Sequence, residues 1–571
     1  MTGVQTCALP IWGFRDILPQ EAQLREDIAL TVKGCLREHH YLPVETPLLE
    51  DKRSLEQAGR MADTPFKLFD DDGGLLVVRP DNTLPIVRLV SARMASGDLP
   101  LRLRYEAPVV REQPRLTGGS RQFTQLGYEL IGEGGSKADE EIVGLALSSL
   151  KALGLDDWRI VCGSVRPFKE VLALANDAAL SRDALKLVHA NNFIDLDDRV
   201  AASGVSPCVA RAMCEIPCIH GGLDALDRVD ELLADAGADE CATTELRALY
   251  KGLLSQAEDG DVLAGRIAFD FSLMNSFDYY TGLVFKAYAG GLSDPVGSGG
   301  RYDSVLDGAF GAATRVPAAG FAFSLERLEG ATGSARAADG DYAVAREAAS
   351  PLRIAVPKGS LKDGTIEALE AVGLDVSNFR DPGRHLIVSS RDMRPGGTIG
   401  DVELVIVRPT DAPAFVACGG ADCGICGRDS LIEADLNLLQ LVDLNYGACR
   451  FIEAEPADRA GLVERAYARR GSLRVATKYP RIAAAWYESR GVNAEIVSLH
   501  GNIELGPIVG MTDRIVDITA TGTTLRENNL VITGELMECT ARFFVNPGRA
   551  RLDARVLELA DRLAAWRRSQ A

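Results

Sequence analysis

Apolar side chains recur through residues 21–38 at Leu24, Ile28, Val32 and Cys35, with charges on the opposite side. That spacing predicts a helix with one buried face. The pattern then shortens to extended stretches, YLPVETPLLED, KLF and LLVVRP. An apolar pair follows, LRLRYEAPVV and FTQLGYELIG, around the glycine-rich RLTGGS. Strand runs separated by turns, with helices in blocks, predict an α+β domain: an antiparallel sheet with helices packed beside it. Residues 166–256 read as a helical insertion, and strands resume at RIAFDFS and YTGLVFKAY. Between about 329 and 351 the chain turns to Ala, Gly and Ser punctuated by charge, which predicts a linker. Beyond it LRIAVP, VELVIV, LRVAT, AEIVSL and DRIVDIT alternate with helical segments such as 361–372 and 480–489. Such alternation predicts parallel α/β architecture, and ~220 residues suffice for two lobes.

The first dozen residues, MTGVQTCALPIW, fit nothing that follows and resemble translated sequencing-adapter read-through. The expected organisation is therefore a non-native segment at 1–12, one domain over 13–330, a linker over 331–351 and a second domain over 352–571. At roughly 150 residues per domain, the length allows about four domains or two large ones. With 46% hydrophobic and 25% charged residues the chain can bury a real core. No apolar run approaches the ~18 residues of a membrane span, and the opening is not that of a signal peptide. A formal charge of −19 argues against wrapping nucleic acid or lying on an anionic membrane. An anionic small substrate needs only a local basic cluster. Twelve cysteines in so long a chain fit a reducing cytosol, so a cytoplasmic protein is expected.

Candidate chemistry concentrates where the strand Arg514 to Ile518 runs into Asp517, Thr519, Ala520, Thr521, Gly522, Thr523 and Thr524. Small side chains let backbone N–H groups converge on a phosphate, and threonine hydroxyls add donors. Asp517 could hold ribose hydroxyls or Mg²⁺. The same residues also read as a Thr-rich strand-to-helix turn with an N-cap.

This segment resembles the phosphoribosyl-pyrophosphate loop of ATP phosphoribosyltransferases, the enzymes that open histidine biosynthesis. The resemblance spans about 352–571, with further motifs in the family's order. Ala355 to Leu361 is similar to its first strand and phosphate-facing turn, Gly383 to Leu386 to a basic strand, and Val407 to Pro413 to its RP-x-D-x-P turn. Gly424 to Asp429, Ala476 to Pro480 and Gly501 to Glu504 resemble the entry to the second lobe and that lobe itself. The resemblance implies the short form of the enzyme, a two-lobed α/β fold like that of periplasmic binding proteins, and a need for Mg²⁺. The reaction displaces pyrophosphate from ribose C1 by N1 of ATP. Because N1 carries a free lone pair, no general base is needed. What is needed is neutralisation of charge on the leaving pyrophosphate and alignment of two anionic substrates. Lys358, Arg384 and Arg408 are the candidates, arginine forks matching phosphate oxygens. Glu504 joins the loop residues in the substrate site. Ser360 stands where the family's turn carries arginine.

Two cysteine groups have metal-like spacing: Cys418, Cys423 and Cys426, and Cys208, Cys214, Cys218 with His220. Cys423 and Cys426 flank Gly424 and Ile425 in an expected strand, and Cys214 and Cys218 share a helical face. Core packing is therefore the expected role, and no metal ligand is assigned.

In the first half, Arg102 to Gly132 resembles motif 2 of class II aminoacyl-tRNA synthetases of the histidyl type. Val78 to Thr83 is similar to that family's amino-acid-binding turn. Phe277 to Gly282, Gly299 to Asp303 and Gly320 to Leu328 continue the series over about 13–330. Where those synthetases carry a catalytic arginine and a glycine stand Asn275 and Ser276, and no anticodon-binding domain follows. Asparagine cannot supply the missing charge. The half thus resembles the catalytically silent paralogue that regulates the short-form transferase, here fused to it. The resemblance implies a histidine sensor with Asp81 or Glu129 for the ammonium and imidazole, Arg111 for the carboxylate, and Gln125 and Tyr280 beside them. Alternatively these residues only hold the inherited fold together, for example through an Arg111–Glu129 ion pair. The expected whole is an ATP phosphoribosyltransferase inhibited by histidine. It would bind ATP and phosphoribosyl pyrophosphate but neither nucleic acid nor membrane, and would form a homo-oligomer, dimer or tetramer. An aminoacyl-tRNA ligase or a non-catalytic ligand-binding protein are the alternatives.

Overall fold

The computed structural model describes residues 10–53, 55, 65–94, 96–113, 119–155, 157–238, 242–257, 259–273, 280–289, 291–307, 315–332, 350–459, 461–519 and 522–570. The chain forms two compact units that divide after residue 349. Most of the expected linker, residues 333–349, lies outside the described residues, as do residues 1–9 of the suspected non-native segment. Ala331, expected in the linker, instead closes a helix, Leu325–Ala331, of the first unit.

The first unit contains β1 (Leu42–Pro43), β2 (Leu49–Asp51), β3 (Lys67–Phe69), β4 (Leu75–Val78), β5 (Leu101–Val110) and β6 (Gln122–Ile131). It continues with β7 (Trp158–Ser164), β8 (His220–Gly221), β9 (Ile267–Asp270), β10 (Leu283–Ala289), β11 (Gly297–Arg301) and β12 (Ala318–Ser324). Nine of these form one sheet in the order β1-β5-β6-β12-β11-β10-β7-β9-β8, and β2-β4-β3 form a small one. The large sheet is antiparallel except at β1/β5 and β7/β9. The β7/β9 pair is parallel because the helical insertion, running from Arg166–Ala175 to Thr244–Gln256, returns the chain to the same end of the sheet. Across β10 and β12 the rings of Phe285 and Phe321 stack at 4.9 Å, and Phe323 meets Phe321 edge-on at 4.8 Å. Burying such a ring contributes ~1.5–3 kcal/mol. The first helix, Pro19–Glu38, buries Ile28, Ala29, Val32 and Leu36. Leu36 takes the place expected of Cys35, which is half-buried, because the face drifts at 3.6 residues per turn.

The second unit has two sheets. One contains β13 (Leu352–Pro357), β14 (Ile387–Arg391), β15 (Asp401–Val407), β16 (Cys423–Gly427) and β17 (Leu439–Asp443). The other contains β18 (Cys449–Pro456), β19 (Leu473–Thr477), β20 (Ala494–Ser498), β21 (Arg514–Thr519) and β22 (Leu530–Cys539), and β23 (Ala541–Val545) returns to the first. The orders are β14-β15-β13-β16-β23-β17 and β20-β19-β21-β18-β22. The expected parallel pairing holds at β15/β13/β16 and at β20/β19/β21. The rest is a correction: β14, β18, β22 and β23 pair antiparallel. Because the chain leaves the first lobe after β17 and comes back at β23, the returning strands run against their neighbours. The helix Arg428–Ala434 joins the lobes, with Leu431 in one core and Ile432 packed on the other. Among the described residues no helix is long and apolar enough to cross a membrane.

Candidate functional site

In the second unit the structure brings the three expected cations to one end of a sheet. Lys358 and Arg408 directly follow β13 and β15, parallel neighbours whose ends are tied by the Lys358 N–H donating to Val407 O at 3.0 Å. Arg384 precedes β14, which runs opposite to β15, and the Ile406 N–H reaches Leu386 O at 2.8 Å. All three side chains are exposed. Gly383 to Leu386, expected as a strand, instead form the turn leading into β14, with Gly383 at φ +57°. The left-handed backbone there interrupts any ladder.

In the second lobe Asp517 is 8% exposed near the end of β21. The Ile518 N–H donates to its carboxylate at 2.8 Å, and Lys478 Nζ lies 3.8 Å away. Burial pushes this carboxyl up, Lys478 pulls it down and Glu504 pushes it up again. The Thr519 hydroxyl accepts from the Gly522 N–H at 2.9 Å, closing the turn, and Gly522 sits at φ +70°, where a side chain would be strained. Thr523 and Thr524 are exposed at the start of the helix Thr523–Glu527, and Arg526 donates to the Thr523 hydroxyl at 3.2 Å. Ala520 and Thr521 lie outside the described residues. Glu504 stands at the N-cap position of the short helix Leu505–Ile508, without a side-chain capping bond. Lys478 lies inside the Ala476 to Pro480 motif but was not singled out as a site residue. Its signal is topological: it follows β19, the parallel neighbour of β21. The Lys478 loop is braced from the joining helix, where the Glu433 carboxylate accepts the Arg481 and Ile482 N–H groups at 3.1 Å each. Burial and the neighbouring Asp429 carboxyl push the Tyr479 hydroxyl above its ordinary range.

In the first unit Glu129 on β6 is 1% exposed. It accepts from the hydroxyls of Thr83 at 2.9 Å, Tyr105 at 3.2 Å and Tyr302 at 2.5 Å, not from Arg111. Arg111 Nε donates to Pro80 O at 2.6 Å, and its guanidinium lies over Phe123. The envisaged Arg111–Glu129 ion pair is therefore absent. Asp81 accepts the Leu84 N–H at 3.1 Å, capping the helix Thr83–Arg93. Asn82 donates to Gln125 Oε1 at 2.8 Å, which leaves Asn82 Oδ1 buried without a hydrogen-bond partner. Tyr280 is buried against Gly300, where a Cβ would come within 2.6 Å of its ring. A Cβ at Gly320 would likewise run into the Glu129 carboxylate. Asn82, Thr83, Tyr105 and Tyr302 lie inside the quoted motifs but were not singled out, because only the tertiary fold brings the turn before the helix Thr83–Arg93 against β5, β6 and the end of β11. Asn275 and Ser276 lie outside the described residues. Among the described residues no group of three or more His, Cys, Asp or Glu is placed to hold a metal ion.

Burial raises the Glu129 carboxyl to about 7 from 4.5, against the pull of its three hydroxyls. Since the folded value lies above the unfolded one, the native state holds the proton more tightly. Its stabilising share is whole below about 4.5 and is lost as pH rises to about 7, at ~1.4 kcal/mol per pH unit. Urea unfolding of wild type and Glu129→Gln across this window is expected to show the difference between them shifting by up to about 3 kcal/mol. A flat difference would mean that Glu129 keeps an ordinary affinity for its proton.

Comparison with known proteins finds a match to the histidyl-tRNA synthetase family over residues 13–328 and to the ATP phosphoribosyltransferase family over residues 408–565. An ATP phosphoribosyltransferase of Rubrobacter xylanophilus is 49% identical over 201 residues, covering 35% of this chain and 89% of that protein. An ATP phosphoribosyltransferase regulatory subunit of Moorella thermoacetica is 35% identical over 351 residues, covering 60% of this chain and 87% of that protein. A crystal structure of an ATP phosphoribosyltransferase regulatory subunit/histidyl-tRNA synthetase from Bacillus halodurans superposes with a TM-score of 0.51 at 26% identity. It covers 64% of this chain and 89% of that one.

Proposed function

We propose a function from the premise that this chain belongs to two families at once. These are the ATP phosphoribosyltransferases through its second unit, and the histidyl-tRNA synthetase family, with the transferase's regulatory subunits, through its first. The chain is a phosphoribosyltransferase of histidine biosynthesis with its regulatory half fused in front. It joins ATP to phosphoribosyl pyrophosphate, giving 1-(5-phosphoribosyl)-ATP and pyrophosphate, as a homo-oligomer in the cytoplasm. The observation that supports the reaction is the grouping of Lys358, Arg384 and Arg408 at one sheet end, with Asp517 and Lys478 together in the other sheet. Open α/β sheets take ligands at the carboxyl ends of parallel strands.

Adenine N1 attacks ribose C1 with its own lone pair, so the side chains orient the substrates and absorb charge rather than move a proton. Lys358, Arg384 and Arg408 supply positive charge toward phosphates, Asp517 accepts from ribose hydroxyls, and Lys478 adds a cation beside it. Asp517 and Glu504 also fit a divalent cation. They are hard oxygen donors, and Glu504 already disfavours charge on Asp517, which a cation would relieve. They would hold Mg²⁺, which when bound neutralises charge on the pyrophosphate.

The first unit senses histidine through Glu129, Gln125, Asp81, Arg111 and Tyr280. Support comes from Asn82 Oδ1, a buried acceptor awaiting a donor such as an ammonium or imidazole N–H. Bound histidine lowers turnover by a coupling of ~1–3 kcal/mol.

An absorbance assay with ATP, phosphoribosyl pyrophosphate and Mg²⁺ tests both halves. Product formation suppressed by histidine is expected. Product insensitive to histidine discards the sensor, and no product from folded protein discards the enzyme.

A further inference from the structure

The chain passes between the lobes of the second unit twice, from β17 to β18 and from β22 to β23. Cys449 is the first residue of β18 and Cys539 the last of β22, and the two face each other in register. Beside them hydrogen bonds tie the crossings. The Thr540 hydroxyl donates to Asp443 at 2.8 Å, and the Ala541 N–H donates to Tyr446 O at 2.9 Å. We propose that Cys449 and Cys539 are a thiol–disulfide modification site, oxidised reversibly by low-molecular-weight disulfides, whose closure staples the two interlobe crossings together.

Opposed residues of antiparallel strands have Cα atoms ~4.5–5.5 Å apart, inside the ~4.4–6.8 Å range that a disulfide spans. The roles of the two thiols differ. Cys449 is half-buried, whereas Cys539 is 1% exposed. The neighbouring Cys539 holds the Cys449 thiol below its ordinary range, while Cys449 and burial push Cys539 well above it. The Cys449 thiolate therefore attacks one sulfur of the reagent disulfide and releases one thiolate. Cys539 then gives up its proton and attacks the Cys449 sulfur, releasing the second. Two protein thiols are oxidised to one disulfide, and the reagent is reduced to two thiols.

The C-x-x-C of Cys423 and Cys426 cannot do this. Both lie within β16, three positions apart, so their side chains leave opposite faces of the strand. The effect on turnover rests on the reading of this unit as a transferase whose lobes move around substrate.

The test treats the reduced full chain with glutathione disulfide and maps cross-linked peptides while following turnover. The expected result is a Cys449–Cys539 cross-link, a fall in turnover of about 3- to 10-fold, recovery with dithiothreitol, and no such change in Cys449→Ser. Glutathione carried only on exposed cysteines such as Cys208 and Cys418, with both crossing thiols still titratable, overturns the pair. A mapped cross-link with unchanged turnover overturns the staple. If the reduced wild type makes no product, the transferase reading fails, and the peptide map alone still decides the cysteine pair.

Discussion

Asp517→Asn is expected to lower kcat/KM for phosphoribosyl pyrophosphate by about 10²–10³-fold, with the KM for ATP little changed. The substitution keeps the volume of a side chain that is 8% exposed. It removes the negative charge that faces Lys478 at 3.8 Å and one of the carboxylate's two acceptor oxygens. A buried site built to accept hydroxyl protons loses those bonds outright when an amide turns a donor toward them, and water cannot enter to compensate. Lys478, no longer held, is free to leave the site. Steady-state kinetics with each substrate varied in turn reads the effect, and a thermal midpoint near wild type shows that the fold survives. A fall of less than about threefold would mean that Asp517 only shapes the turn.

Arg301→Ala is expected to destabilise the first unit by about 3–5 kcal/mol. Arg301 stands in the Gly299–Asp303 motif, which marks the synthetase resemblance and invites a substrate role. The structure turns it inward instead. Its side chain and that of Asp139 are each 5% exposed, and the guanidinium reaches Asp139 at 2.6 Å and Asp303 at 3.0 Å. Asp303 passes the tie on by accepting the Ala318 N–H at 3.0 Å, so one cation joins the helix Ser136–Ala152, β11 and β12. Burial pushes the Asp139 carboxyl above its ordinary range, and Arg301 pulls it only part of the way back. Removing the arginine leaves an uncompensated buried acid, whereas removing both partners does not. Urea unfolding should therefore show Arg301→Ala/Asp139→Ala recovering part of the loss. A single-mutant cost below about 1 kcal/mol would place the pair among surface bridges of little consequence.

The positions of the elements were legible in the chain. LRLRYEAPVV becomes β5 residue for residue, FTQLGYELIG becomes β6 shifted by one residue at each end, and all five apolar runs of the second half become strands. Alternation and period are local properties, and burial of one face enforces them wherever the segment ends up. The family motifs were legible for the same reason, as short strings at strand ends. Pairing direction was not. That β18 and β23 run against their neighbours follows from the chain leaving one lobe and returning to it, which no window of sequence contains. Nor was Arg384's place in a turn legible, since Gly383 adopts its left-handed backbone only because β14 must reverse against β15.

By itself, then, the sequence determined where most strands and helices lie and the two families. Only the tertiary structure decided which residues meet. Lys478 reaches Asp517 across neighbouring strands, Cys449 faces Cys539, and Arg301 finds Asp139 across 162 positions. These encounters are set by register and by which apolar faces exclude water together, and such long-range choices leave no periodic trace along the chain.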